Sequence, residues 1–347
     1  MNCDALLYFL ALDFVKCYHN PMSEFNTYTT KNKLNQTSGR FTSLDAYCKS
    51  TFGEKVYRLS LDGGCSCPNR DGKLSHGGCV FCSSGGSGDF AANATLPIKE
   101  QMANAKELLK NKTACRKFIA YFQAYTGTYA PLEHLRKMYY EAIMEPDIVA
   151  LSIATRCDCL PPEVLDLLEE LNQIKPVWIE LGLQTIHNKT HAALNTFTTV
   201  ESYEEAALAL SARGISVISH VIMGLPGETK EMMLDTIRHV GVVSRKCTNS
   251  PMIGIKIHML HVLKDTNLAS YYTEHPFSLF ELEEYCDFVV DCIELLPSDM
   301  VIHRLTGDGP RALLIAPLWS TDKKRVLNTI QKRLKERDTW QGKLLTQ

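Results

Sequence analysis

Net charge is what this 347-residue chain has least of: 37 Lys and Arg against 39 Asp and Glu leave a formal −2. That balance supplies no global field to steer the molecule onto nucleic acid or a membrane surface. Long apolar runs are missing too, since no stretch reaches the roughly 20 residues of a bilayer-spanning helix. The apolar run at residues 6–15 is short, follows Asp4, contains Asp13 and has no Lys or Arg before it. It lacks the basic start and small-residue cleavage site of a secretory leader, and reads as an accessory helix or as part of a misassigned start upstream of Met22. Gly-Lys-Ser/Thr is absent, which excludes a P-loop. No repeat is visible beyond an alternation of strand and helix signals.

Cysteine, by contrast, is abundant. Thirteen residues, an odd number, argue against a fully paired disulfide framework. In a long chain with clustered spacing they point to metal or redox chemistry, and to a reducing, cytoplasmic setting with no membrane. The length suffices for one large α/β barrel-like domain or for two ordinary ones.

Residues 23–43 are polar and rich in Thr and Asn, a loop-like or disordered composition. A short helix at 44–52 follows Ser43. Strand patterns then fall at 56–61, 118–122, 148–153, 177–183, 215–223 and 253–262. Helical patterns lie between and after them at 98–109, 132–143, 161–171, 201–213, 230–243 and 279–296. Six βα units in succession predict a parallel sheet with function at the strands' carboxyl ends. The expected division is an N-terminal extension at 1–40, poorly ordered, a partial barrel at 41–297 and a C-terminal extension at 298–347. From Thr321 the chain turns basic, with a helical pattern. A solvated face and an RNA-phosphate surface are equally good readings of that tail.

The first strand runs into a loop holding Cys65, Cys67, Cys79 and Cys82. Four thiols suit structural zinc; three, with one metal position left open, suit an iron–sulfur cluster that must bind substrate. Spacing alone leaves the two equal. Later strands end in polar segments: Tyr121 to Thr128, Ser152 to Cys159, Glu180 to Thr185, and Ser219 to Thr229. Arg156 and Asp158 are expected to pair, and Cys157 and Cys159 to be ordinary thiols. Glu180 and Gln184 share a strand face, and for this carboxylate and amide an internal network is favoured over a ribose. His258 and His261 read as core histidines. Arg304, Thr306, Asp308 and Arg311 form a polar knot after the last strand pattern.

Several segments carry a resemblance. Gly-Glu-Lys-Val-Tyr-Arg-Leu (53–59), Cys-Pro-Asn-Arg-Asp-Gly (67–72), Gly-Gly-Cys-Val-Phe-Cys (77–82) and Tyr-Phe-Gln-Ala-Tyr-Thr-Gly-Thr-Tyr (121–129) begin the set. Trp-Ile-Glu-Leu-Gly-Leu-Gln-Thr (178–185), the run from His220 to Thr229, Lys-Ile-His-Met-Leu-His-Val (256–262) and the run from Arg304 to Arg311 complete it. Together they resemble the YhcC/YtqA family of radical SAM proteins, in order over residues 40–320. More distantly, the chain is similar to oxygen-independent coproporphyrinogen oxidase and the elongator catalytic subunit.

The resemblance implies a partial (β/α)6 TIM-type barrel of the radical SAM type. It implies a [4Fe–4S] cluster on Cys67, Cys79 and Cys82, with Cys65 an extra and S-adenosylmethionine (SAM) on the fourth iron. Gln123 and Tyr125 are then expected near the SAM methionine moiety, and Ser152, Thr155, Gln184 and His220 near its ribose and adenine. Cys157 stands where the family usually has Pro. A branch of the family implies tRNA as substrate, with the wobble-uridine side chain carried from carboxymethylaminomethyl toward aminomethyl, and flavodoxin or ferredoxin as electron donor. A porphyrinogen-oxidase-like enzyme of small molecules and a zinc-stabilised RNA-binding protein are the alternatives.

Overall fold

The strands are short and almost wholly apolar, as a sheet covered on both faces demands. In the second, Phe118–Phe122, all five residues are buried. The computed structural model describes residues 39–86, 88–110, 115–307 and 309–345. The expectations for the N-terminal extension, residues 39 and 40 apart, and for Asp308 lie outside the described residues.

Helix α1 (Leu44–Phe52) is capped by Ser43, whose side chain accepts from the Ala46 N–H. Then follow β1 (Tyr57–Leu61), α2 (Ile98–Lys110), β2 (Phe118–Phe122), α3 (Leu132–Ile143), β3 (Ile148–Thr155), α4 (Pro162–Asn172) and β4 (Val177–Gln184). After β4 come α5 (Asn188–Ala193), α6 (Val200–Ala212), β5 (Ser216–Met223), α7 (Lys230–Lys246), β6 (Ile253–Met259), β7 (Val262–Leu263) and α8 (Asn267–Glu274). The chain continues through α9 (Leu282–Glu294), β8 (Val301–Arg304), β9 (Leu314–Ala316) and α10 (Lys323–Glu336). Thr199 and Ser202 close a capping box on α6, and Thr229 caps α7.

Seven strands pair in the order β1-β2-β3-β4-β5-β6-β8, every pair parallel. The fold is α/β, a curled parallel half-barrel. Strand–helix alternation read from the sequence accounts for six of these strands. The seventh, β8, has four residues and no period long enough to detect, and it pairs with β6 at Gly254–Val301. The sixth expected strand is two elements, since β7 leaves the sheet to pair antiparallel with β9.

Side chains alternate across each strand. One set, including Leu59, Phe122, Ile153, Leu181, Val217 and Ile257, packs outward under the helices in the main core. The inward set is layered. At its floor Ile119, Ala150, Trp178, Ile218 and Val301 pack against Cys48, with Leu44, Tyr47 and Phe52 of α1. Helix α1 therefore plugs the amino end of the half-barrel. A parallel bridge from Ser43 to Ile302 and the Ile302 N–H to Thr42 carbonyl bond (2.8 Å) fasten it to β8. The sheet edges β1 and β8 are joined inside by Arg58 Nη2 and His303 Nδ1, 3.0 Å apart.

Candidate active site

The loop after β1 folds on its own backbone. The N–H groups of Arg70 and Asp71 donate to the Cys67 carbonyl at 2.8 and 3.1 Å, and the Cys82 N–H donates to Cys79 at 3.0 Å. Asn69 Nδ2 donates to Cys79 Sγ (3.3 Å) and to the Asn195 carbonyl (2.7 Å). Asn195 Nδ2 returns a bond to the Gly78 carbonyl at 2.9 Å. Arg70 spans the far side, donating to the carbonyls of Ser83 (2.5 Å), Cys82 (3.3 Å) and Ser84 (3.4 Å). Two backbone bonds tie Val80 to Leu194 (3.1 Å) and to Leu268 (2.8 Å). The loop is thus held at the barrel mouth by the β4–α6 connection and by α8.

Cys79 and Cys82 touch. The hydrogen bond from Cys82 is the largest influence lowering Cys79 to about 7, with the Asn69 amide and the charges of Arg156 and Arg70 adding to it. Cys82 moves the opposite way, well above an ordinary thiol, because of the same contact and its burial, and the charge of Cys67 acts on it as well. Cys65 turns away to the Gly127 carbonyl at 3.4 Å, and burial pushes it up to about 12. Burial does the same to Cys157 and Cys159. All described cysteines are free thiols. Among the described residues no three His, Cys, Asp or Glu side chains converge closely enough to hold one metal ion. A cubane cluster instead takes each thiolate on a different iron, so its ligands need not meet at a point.

The six residues expected near SAM occupy two depths. At the mouth, Tyr125 has a positive φ of 53°, its hydroxyl donates to the Ser84 carbonyl (2.8 Å), and its ring lies against Gly86. A Cβ on Gly86 would stand 2.6 Å from that ring, so this position requires glycine. Gln123 is half-buried at the end of β2. Gln184 ends β4 with φ 65°, and its Oε1 is buried without a hydrogen-bond partner. Thr155 Oγ1 meets Thr128 Oγ1 at 2.5 Å.

Deeper lie Ser152 and His220. Ser152 Oγ donates to Glu180 Oε1 at 2.9 Å. The His220 ring lies 4.2 Å from that of His258. The Ser152 contact belongs to a buried network that sequence reading found only in part. Lys256 Nζ donates to Glu180 Oε2 and, at 3.0 Å, to the Tyr121 hydroxyl. Arg58 Nη2 approaches Glu180 Oε1 at 3.6 Å. Burial would raise the Glu180 carboxyl, but Lys256 beside it and then Arg58 hold it well below the usual carboxylate range. Burial in turn draws Lys256 down against the pull of Glu180. The pair is charged, because Glu180 has a second cation, Arg58, and the Ser152 hydroxyl to satisfy it. Burial lowers His220 to about 3, so this ring is neutral. The sequence signal for the network was a polar side chain at the inward parity of an apolar strand: Arg58, Tyr121, Lys256 and His303 all have it. Arg156 and Asp158 do pair, at 2.9 and 2.8 Å, and Arg156 Nη1 also holds the Thr196 carbonyl.

Comparison with known proteins adds to this geometry. The model of the radical SAM superfamily matches residues 72–240, and that of the radical SAM C-terminal domain matches residues 252–336. YtqA of Bacillus subtilis is 43% identical over 307 residues, 88% of this chain and 93% of that protein. YhcC of Escherichia coli is 39% identical over 269 residues, 77% of this chain and 84% of that protein. The chain belongs to the radical SAM superfamily. Among solved structures, the archaeal Methanocaldococcus infernus Elp3 shares the fold with a TM-score of 0.61 at 16% identity, covering 82% of this chain and 64% of that one.

Radical SAM proteins bind a [4Fe–4S] cluster and SAM, and this chain is an iron–sulfur enzyme of that class. The equal choice between zinc and iron–sulfur is thereby decided. The residues present fit the cluster: three thiols in one loop, one of them lowered toward thiolate, an amide N–H directed at a sulfur and two guanidinium groups nearby. No helix of the described residues is long and apolar enough to cross a membrane.

Proposed function

We propose that this radical SAM enzyme modifies the wobble uridine of tRNA, carrying a carboxymethylaminomethyl side chain toward aminomethyl. The observation that carries the reading is a partial likeness to proteins named tRNA uridine(34) acetyltransferase. One from Methanocaldococcus infernus is 25% identical over 170 residues, 48% of this chain and 30% of that protein. One from Dehalococcoides mccartyi is 25% identical over 186 residues, 53% of this chain and 39% of that protein.

Cys67, Cys79 and Cys82 would hold the cluster, and Gln123, Tyr125, Ser152, Thr155, Gln184 and His220 would face SAM. When bound, these groups supply a 5′-deoxyadenosyl radical that takes a hydrogen atom from substrate. The chain's own part is to bind, orient and exclude water. Gln184 has an amide oxygen to offer a ligand donor, since it is buried and unpartnered. Neutral His220 can hydrogen-bond without adding charge. Ser152 already spends its proton on Glu180, leaving its lone pairs to a ligand.

Helix α10 supports a nucleic-acid substrate less than its composition suggested. Arg333 and Arg337 are spent on Glu283, Asp287 and Asp291 of α9. Lys324 and Arg325 line one open cleft with Asp322, Asn328, Thr329 and Lys332, the last paired with Glu336 at 3.6 Å. A reduced flavodoxin or ferredoxin is the electron donor this chemistry calls for.

The test is nucleoside mass spectrometry of tRNA from a bacterium deleted for its own YtqA-type protein, with and without this chain. The carboxymethylaminomethyl nucleoside should accumulate in the deletion and fall on complementation. An unchanged profile, alongside SAM cleavage by the reconstituted protein, would move the substrate to a small molecule.

A further inference from the structure

Strand β4 ends under constraint. Its register against β5 shifts between Gly182 and Gln184, and Gln184 then takes φ 65°. A residue other than glycine keeps that conformation only where its surroundings over-determine it. Here they act through Thr185, which is fully buried and held at three points. Its N–H donates to the Leu183 carbonyl at 2.9 Å, its hydroxyl donates to Glu228 Oε1 at 2.6 Å, and its carbonyl accepts from His191 Nε2 at 2.8 Å. The tautomer of His191 follows. A carbonyl can only accept, so Nε2 carries the proton and Nδ1 offers a lone pair. Thr196 Oγ1 lies 2.8 Å from Nδ1, with Thr198 Oγ1 farther off at 3.5 Å. The His191 carbonyl also accepts the Thr196 N–H, at 3.2 Å. Burial lowers the ring below its ordinary value, which keeps it neutral.

Thr196 belongs to the clasp on the cysteine loop. Its carbonyl takes bonds from Arg156 Nη1 (2.8 Å) and Asn69 Nδ2 (3.5 Å), and the same Asn69 nitrogen lies 3.3 Å from Cys79 Sγ. One buried imidazole therefore stands between the strand end that aims Gln184 and the turn that holds the cysteine loop. Gln184 Oε1, buried and without a hydrogen-bond partner, is the acceptor this arrangement presents to a ligand.

We propose that His191 is a positioning residue for SAM: through Thr185 and Thr196 it sets the separation between Gln184 and the cysteine loop, the two places one SAM molecule has to reach at once. This rests on the reading that Cys67, Cys79 and Cys82 hold the cluster and that Gln184 faces SAM, and it is independent of the tRNA substrate. His191 acts through its two threonines. Without its ring each end keeps bonds of its own, from Asn69 and Asn195 on the loop and from Glu228 on Thr185. The direct link between them is lost. Cluster binding should then survive while SAM binding suffers, because reacting groups must share one frame.

The experiment compares variants of the full chain reconstituted without oxygen. Iron and sulfide are counted, SAM affinity is measured per cluster by equilibrium dialysis, and the electron-paramagnetic-resonance spectrum of the reduced cluster is taken with and without SAM. His191→Leu should keep its iron and sulfide, bind SAM about tenfold more weakly, the value of a lost hydrogen bond, and lose most of the spectral change that SAM causes in the wild type. His191→Gln, whose amide again offers one donor and one acceptor, should recover much of both. Thr196→Val removes the hydroxyl alone and should weaken SAM binding in the same direction; it carries the test where His191→Leu fails to fold. Gln184→Ala checks the reading underneath and should also bind SAM more weakly. Unchanged SAM affinity in Gln184→Ala overturns that reading and the inference with it. Weakened binding in Gln184→Ala beside unchanged affinity and spectrum in His191→Leu overturns the inference alone. So does a His191→Leu protein that loses iron but binds SAM normally at the clusters that remain.

Discussion

Removing Glu180 should destabilise the protein more than removing its partner Lys256. Both side chains are almost fully buried, at 1% and 2% exposure, so neither charge has water to fall back on. After Lys256→Met, Glu180 keeps Arg58 at 3.6 Å and the Ser152 hydroxyl at 2.9 Å. After Glu180→Gln, Lys256 keeps the Tyr121 hydroxyl at 3.0 Å and that ring's face at 4.6 Å, and it faces two arginines without a carboxylate. Breaking a buried pair costs about 3–5 kcal/mol; Glu180→Gln should lie at the top of that range and Lys256→Met at the bottom. The double variant Glu180→Gln/Lys256→Met should lose less than the sum by at least about 1 kcal/mol, as neighbours in one network do. Urea unfolding of the reconstituted chain measures all four corners of the cycle. The pH dependence has a definite sign. Glu180 is held below its unfolded value, so its contribution is complete above about pH 4.3 and is lost as pH falls below that. The wild type and Glu180→Gln should therefore converge in acid. Single variants that each lose under about 1 kcal/mol, or a double variant that is strictly additive, would refute the reasoning.

Alanine at Cys67, Cys79 or Cys82 should abolish bound iron and sulfide after anaerobic reconstitution, whereas Cys65→Ala, whose thiol faces Gly127, should retain both. Cluster loss in Cys65→Ala would show that the ligand set is wrong. Asn69→Ala removes the N–H at Cys79 Sγ and should shift the cluster's midpoint potential negative in an electron-paramagnetic-resonance redox titration. Lys324→Glu with Arg325→Glu should weaken tRNA binding and flatten its salt dependence by about two charges' worth, while leaving SAM cleavage unchanged.

Fold class was legible because this sheet is covered on both sides. Residues 118–122 read as a strand by being continuously apolar and 177–183 by being apolar but for Glu180, and the gaps between such runs matched helix lengths. What escaped was short or built by distant pairing. Strand β8 has four residues, and β7 and β9 have two and three, too few for a period to appear. Glu180 announced itself as a carboxylate inside an apolar run. Its partners Arg58, Tyr121 and Lys256 sit on three other strands, and no local pattern says which inward residues meet. Composition left the basic tail open between a solvated face and a phosphate surface, and a charge count cannot see that Arg333 and Arg337 face α9.

The cysteine loop shows why a local motif is not yet a site. The three thiols proposed to hold the cluster lie within sixteen residues, Cys67 to Cys82, but their placement over the barrel is specified elsewhere. Asn69 bonds the Asn195 carbonyl and Asn195 bonds the Gly78 carbonyl, so the loop and the β4–α6 connection clasp each other side chain to backbone. Asn195 holds φ 55°, a conformation asparagine tolerates better than most residues. Arg156 adds a bond to the Thr196 carbonyl from the end of β3. The thiols therefore take their position from β3 and β4, the strands that also bear Ser152, Thr155, Glu180 and Gln184. Both sets of groups are referred to one rigid frame, floored by Trp178 and α1. Catalytic placement depends on such common reference, because small displacements of reacting groups cost large factors in rate.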